Sequence, residues 1–138
     1  MYFRFLLGFI IAAILSGCIT QADQQQQAEQ ILNKLHTAIQ QQQWDTATKL
    51  FNPEFFKTEP KTHWQNHLKE IQNSLGKMTA FSIVSQTKDP RFAGDFYIYI
   101  VSVKHEHGFS HETVTIFKSL DDQPMMVSGY QIKAQANQ

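Results

Sequence analysis

The sequence predicts an α+β fold in which three N-terminal helices pack on a four-stranded, antiparallel, curved sheet. Two observations support this prediction. Apolar residues recur at helical spacing before Gly76, whereas the segments after it alternate and are rich in β-branched and aromatic residues. The stretches that separate these later segments are short, which favours hairpins over helical crossovers. We therefore expect the helices to cover one face of a single sheet.

The first residues indicate an export signal. One positive charge, Arg4, precedes an apolar run from Phe5 to Leu15, which is shorter than the roughly 20 residues that a membrane-spanning helix needs. The motif "LSGC", which ends at Cys18, resembles the lipobox of bacterial lipoprotein signal peptides. That resemblance implies cleavage just before Cys18 and acylation of its thiol. The alternative is an ordinary secretory signal with an incidental cysteine.

These features predict the domain boundaries and the location. Residues 1–17 would be the signal peptide, 18–27 a lipidated tether, 28–134 the single α+β domain and 135–138 a tail. In lipoproteins, an aspartate after the acylated cysteine retains the protein in the inner membrane. Ile19 stands there instead, so the resemblance implies the periplasmic face of the outer membrane if the cell is Gram-negative.

Composition limits the classes of partner. The formal net charge is zero and the sequence carries no basic stripe, so nucleic-acid binding has no support. Because Cys18 is the only cysteine, an intramolecular disulfide is excluded. Catalytic and phosphate-binding motifs are missing from the sequence, and we expect no cofactor. The predicted partners are the membrane, through the lipid, and an unidentified envelope protein or small ligand.

Three helices are predicted from spacing and end signals. The first begins near Ala28 and carries an apolar stripe. Asp45 is expected to cap the second, which ends at Asn52-Pro53. The third runs from about Glu59, with Thr58 as N-cap and Gly76 following its last turn. Its predicted core stripe is Trp64, Leu68, Ile71 and Leu75.

This order of elements resembles the cystatin-like, nuclear-transport-factor-two-like superfamily. The closest resemblance is to a bacterial family of exported domains with no assigned function. The segment "ETVTIFKSLDDQPMMVSGYQIK", from Glu112 to Lys133, carries it, with support from Trp44, Trp64 and Leu75-Gly76. One departure is Met125-Met126, where that family has a tryptophan. Some superfamily members hold an apolar ligand in a cone-shaped cavity that contains an acidic base.

The segment "KHEHGFSHE" is a candidate metal site. Gly108-Phe109 fits a two-residue hairpin turn, which would pair His105 with Glu112 and place His105, His107 and Glu112 on one face. Two histidines and a carboxylate suit zinc, copper or nickel. The alternative is a set of cross-strand His–Glu contacts near an exposed turn. The third helix carries a second column, His63, His67 and Glu70, for which a solvated flank is the alternative.

Aromatic side chains could line or fill a cone-shaped cavity. Asp95 is the carboxylate nearest to them in sequence, but a strand-start aspartate is also typical of a turn. A hydrolase or isomerase would need a carboxylate deep among apolar residues, and the sequence pattern identifies none. We therefore expect a non-enzymatic binding domain, with that enzyme and an envelope metal binder as alternatives. The cavity candidates are Phe55, Trp64, Phe81, Tyr97, Tyr99 and Tyr130, together with Phe96.

Overall fold

The structure, a computed structural model, describes residues 16–136. Within this range four helical segments precede four strands, and the predicted α+β architecture is confirmed. The helices are α1 (Ser16–Gln40), α2 (Trp44–Thr48), α3 (Phe55–Thr58) and α4 (Lys61–Leu75). The strands are β1 (Met78–Arg91), β2 (Gly94–His105), β3 (Gly108–Ser119) and β4 (Met126–Ala136).

Helix α1 is longer than the sequence pattern predicts. The predicted tether, residues 18–27, belongs to this helix, and the predicted signal peptide lies outside the described residues except for its last two positions. Glutamine is a fair helix former, and side-chain hydrogen bonds at i, i+4 spacing join Gln25 to Glu29 and Gln27 to Asp23. Within residues 16–136 none of the helices combines the length and apolar character that a bilayer crossing requires.

The helix ends differ from the prediction at two positions. Asp45 lies inside the first turn of α2 and its side chain does not cap the helix, because the N-cap position belongs to Gln43. Likewise, α4 begins after Pro60 rather than after Thr58, which ends the extra single turn α3. At the other end the prediction is confirmed: Gly76 follows α4 with a φ of 81°, a conformation that glycine adopts without a Cβ clash.

The sheet is an antiparallel meander in the order β1-β2-β3-β4. The register shifts within the β1–β2 pair and within the β3–β4 pair. Such bulges bend strands and increase their twist. Helix α1 packs on β1 and β3, and α4 packs on β4. A backbone bridge from Phe51 to Val127 ties the segment after α2 to the outer edge of β4.

The hydrophobic core lies between the helices and one face of the sheet. Strands β2 and β3 bury alternate residues, as expected for a sheet with one covered face. The predicted stripe of α4 is buried throughout. At roughly 1.5–3 kcal/mol for each large apolar side chain, this burial is the main stabilising term. The buried side chains from the sheet include Tyr97, Tyr99, Val101, Val103, Val114, Ile116, Val127 and Tyr130.

The turn between β2 and β3 is not the predicted one. His105 pairs with Gly108, so the turn residues are Glu106 and His107, two positions earlier than the glycine signal indicates. Tertiary hydrogen bonds explain the difference. The His107 amide donates to the Leu75 carbonyl over 2.7 Å and the Glu106 amide donates to the Lys77 carbonyl over 3.1 Å. The turn therefore caps the C-terminal end of α4, which sequence-local turn rules do not register.

Candidate functional site

Glu112 is a carboxylate in the middle of the core. It lies on the inward face of β3, two residues before Val114, and its side chain is 1% exposed. A buried carboxylate is costly unless it is hydrogen-bonded or paired. Its partner comes from α1, where His36 shares the buried face with Leu32 and Ile39 and is fully buried.

The hydrogen bonds of His36 determine how many protons the His36–Glu112 pair holds. The Leu32 carbonyl can only accept, so Nδ1 of His36 carries a proton and donates it over 3.0 Å. Nε2 of His36 lies 2.7 Å from Oε2 of Glu112, and one proton must lie in that contact. The pair is therefore either imidazolium with carboxylate or imidazole with carboxylic acid. In both arrangements its net charge is zero, so the pair leaves no net charge in the core.

Two further contacts surround the pair. The His36 ring stacks on Phe81, with centroids 4.5 Å apart. Tyr130 lies on β4 and pairs with Val114, the next inward residue after Glu112 on β3. The pKa of Tyr130 is raised well above its usual value. Burial is the main cause, and the nearby Glu112 carboxylate adds to it. The Tyr130 hydroxyl is buried without a hydrogen bond of standard geometry to any described residue. We call His36, Glu112 and Tyr130 the core polar cluster.

The predicted metal donors do not converge. Glu112 pairs with Val101, four residues along β2 from His105, and its carboxylate contacts His36. The His105 ring is also buried, with Nδ1 donating to the Gly76 carbonyl over 3.1 Å and Nε2 lying 2.9 Å from the Ser110 hydroxyl. His107 lies in the exposed turn. Among residues 16–136, three metal-type donors do not come together anywhere.

The α4 histidines lie on the helix flank that faces solvent. His63 contacts the Glu59 carboxylate, and its side chain is 73% exposed. His63 and His67 border a groove of about 300 Å³, while Glu70 is exposed and lies outside it. We call this feature the α4–β4 groove. Its lining residues are Glu59, His63, Trp64, His67, Tyr130, Gln131 and Ile132.

Most of the aromatic candidates pack in or against the core and line separate spaces, whereas Phe96 lies on the opposite face of the sheet. Trp64 and Tyr130 pack edge to face at 5.7 Å and line the α4–β4 groove, while Tyr97 and Tyr99 line a separate pocket of about 110 Å³. Phe55 is partly buried against the core. Among the remaining candidates, Phe81 covers His36, and Phe96 packs on Phe117 with centroids 4.6 Å apart.

Asp95 is not an interior base. It lies at the start of β2, 25% exposed, and its carboxylate forms an ion pair of 2.8 Å with Lys88. The deep carboxylate of this fold is Glu112, which sequence reasoning assigned to a metal site. His36 was missed altogether. Its position, four residues after Leu32 and three before Ile39 on the apolar stripe of α1, was the available signal.

Comparisons with known proteins bear on the fold. No family model and no curated protein matches the sequence. The chain is similar to the solved structure of Bd1075 from Bdellovibrio bacteriovorus, with a TM-score of 0.54 and 12% sequence identity. The match covers 82% of this chain and 41% of that one, so this chain spans less than half the length of its structural neighbour. At this identity the likeness concerns the fold alone.

Proposed function

We propose that this protein is a bacterial cell-envelope lipoprotein, anchored through Cys18, whose α+β domain binds a partner or small ligand without catalysing a reaction. The observation that carries the non-catalytic part is the sealed His36–Glu112 pair. Both ring nitrogens of His36 and Oε2 of Glu112 are already in hydrogen bonds within the protein, and the two side chains are 0% and 1% exposed. The proposed binding surface is therefore away from this pair.

Support for the anchor comes from the sequence motif that ends at Cys18. Cells grown with a clickable palmitate analogue should label the wild-type protein and leave Cys18→Ala unlabelled. Several acyl chains, at about 0.8 kcal/mol for each buried methylene, would hold the domain on a membrane. Equal labelling of wild type and Cys18→Ala would contradict the anchor.

The α4–β4 groove is the proposed ligand surface. It sets the ring of the buried Trp64 beside two exposed imidazoles, His63 and His67, so an apolar floor has hydrogen-bonding groups at its rim. A photo-crosslinking residue introduced at His67 should capture a defined envelope component. The same residue at His111, exposed on the outer face of the sheet, is the matched control. Identical products at both positions would exclude the groove as the specific surface.

The second candidate is a hydrolase or isomerase that uses the core polar cluster. One observation favours it: a histidine, a carboxylate and a tyrosine meet deep in the fold. Such an enzyme must let a substrate reach His36. Diethyl pyrocarbonate modifies accessible imidazoles, so mass spectrometry of the treated protein separates the candidates. Modification of His63 and His67 without His36 supports the binding domain, whereas modification of His36 in the folded protein supports the enzyme.

A further inference from the structure

Two large apolar side chains project from one end of the sheet. Phe92, in the turn between β1 and β2, is 101% exposed, and Leu120, just after β3, is 78% exposed. The Leu120 amide donates to the carbonyl of Ala93, the other turn residue, over 3.3 Å, so the two loops lie side by side. Side chains of this type, placed together in solvent, often mark an interaction surface. We call Phe92 and Leu120 the apolar tip.

Contacts along α1 show which end of that helix lies near the apolar tip. Near the start of β2, the Tyr97 hydroxyl donates to Gln24 over 3.1 Å. Near the end of β2, Gln40 donates over 3.3 Å to the carbonyl of Met78, which pairs with His105, the last residue of β2. Sixteen helical residues span about 24 Å and eight strand residues about 26 Å, so α1 runs nearly parallel to β2.

This direction brings the backbone of Cys18 to the level of the tip. Cys18 lies six residues before Gln24, which is about 9 Å along the helix. Gly94, next to the turn that holds Phe92, lies three residues before Tyr97, which is about 10 Å along the strand. The N-terminal end of α1 and the apolar tip are thus at the same end of the domain.

We propose that the apolar tip rests in the interfacial region of the membrane beside the lipid anchor and fixes the orientation of the domain. The inference builds on the proposed anchor at Cys18. Two side chains are too few for stable binding from solution, but an acyl chain on Cys18, at the N-terminal end of α1, would hold the tip at the bilayer surface, where its effective concentration is high. Of the charges that flank the tip, Lys88 pairs with Asp95 and Arg91 with Asp89, whereas the two aspartates that follow Leu120, Asp121 and Asp122, are exposed. The contact is therefore apolar, and anionic lipid should not strengthen it.

Fluorescence quenching in vesicles tests the orientation. The full chain, as the cell processes it, is produced with Phe92→Trp and placed in phosphatidylcholine vesicles that contain or lack brominated acyl chains. Phe109→Trp is the matched control. Phe109 is 42% exposed and lies at the opposite end of the sheet, beside the β2–β3 turn. The unsubstituted protein gives the background of Trp44 and Trp64.

We expect the fluorescence that Phe92→Trp adds to be quenched several-fold more than the fluorescence that Phe109→Trp adds. Equal quenching of the two, or none, would overturn the proposal, and a tip that instead binds a second copy would give no quenching. Mass spectrometry reports separately on acylation. If Cys18 carries no acyl chain, the proposed anchor fails. Its thiol, the only one in the chain, is then coupled to a maleimide lipid and the same measurement is made.

Discussion

His36 and Glu112 are 76 positions apart in the sequence, yet their side chains meet at 2.7 Å in the core. The contact joins α1 to β3, and the proton that the Leu32 carbonyl holds on Nδ1 makes the pair neutral as a unit. A buried pair of this kind adds little net stability compared with apolar residues of the same size. However, any packing of α1 on β3 that separates the two side chains would leave a buried polar group unpaired, which is unfavourable. We therefore expect the pair to favour the observed position of α1 on the sheet over other packings.

Removing one member of the pair should be far more costly than removing both. His36→Leu leaves Glu112 without its partner, and Glu112→Leu does the same to His36. Each single change should lower the free energy of unfolding by about 3–5 kcal/mol, because a polar group remains buried and unpaired. The double variant should recover a large part of that loss. Urea unfolding of all four proteins measures the coupling.

The solvent-exposed His63 provides the control for this cycle. Its contact with Glu59 lies at the surface, so His63→Leu should change the free energy of unfolding by no more than about 0.5 kcal/mol. Additive single losses in the His36–Glu112 cycle would contradict the coupling.

Tyr99→Phe should leave stability unchanged or raise it slightly at neutral pH. The Tyr99 hydroxyl is buried without a hydrogen-bond partner among the described residues, so removing it removes an unsatisfied group. Tyr97→Phe is the matched control, since its hydroxyl donates to Gln24 and its loss should cost about 0.5–1.5 kcal/mol. Thermal unfolding compares the two, and a larger loss for Tyr99→Phe would contradict the assignment.

Alkaline pH should destabilise the domain partly through Tyr99. Burial, followed by the charge of Glu29, raises the pKa of Tyr99 to about 12 from a usual value of 10.0. Above pH 10 the unfolded chain therefore loses its phenol proton while the folded chain retains it. Stability is unaffected by this group below pH 10 and falls between pH 10 and 12, by on the order of 2–3 kcal/mol in total. Tyr99→Phe should flatten that decline in a urea titration series, and an unchanged slope would be inconsistent with the raised pKa.

Gly94 should not tolerate a side chain. Its φ is 146°, and a Cβ would lie 2.1 Å from the Lys118 carbonyl oxygen on the paired strand. Gly94→Ala should therefore lower the free energy of unfolding by at least about 1–3 kcal/mol, measured by urea unfolding. Gly129→Ala is the milder comparison, because its Cβ would meet only the Thr115 side chain at 3.3 Å. Equal effects of the two changes would show that the backbone at Gly94 is not restrictive.

The sequence was sufficient for the architecture because its periodicities are local properties. The stripe from Trp64 to Leu75 predicts a buried helix face, and alternation predicts four strands. The predicted position of the β2–β3 turn was wrong because tertiary contacts, which are not local, determine it. Gly108 is a good local turn residue, but hydrogen bonds from Glu106 and His107 to the end of α4 decide where the chain reverses.

The core polar cluster could not be read from local patterns either. Strand alternation correctly puts His105 and Glu112 on the same face of the sheet, but the register separates them and α1 supplies His36 instead. A histidine on an apolar helix stripe and a glutamate on an inward strand position each need a buried partner. Only the packing of α1 on the sheet identifies which partner each one has.

The His36–Glu112 pair is buried in the core, and we propose that the protein acts through its surface. Hydrogen exchange of the imidazole ring protons, followed by nuclear magnetic resonance in D₂O, tests this most directly. We predict that the Nδ1 proton of His36 persists long after the ring protons of His63, 73% exposed, have exchanged. Exchange of the His36 ring proton as fast as that of His63 would contradict the claim.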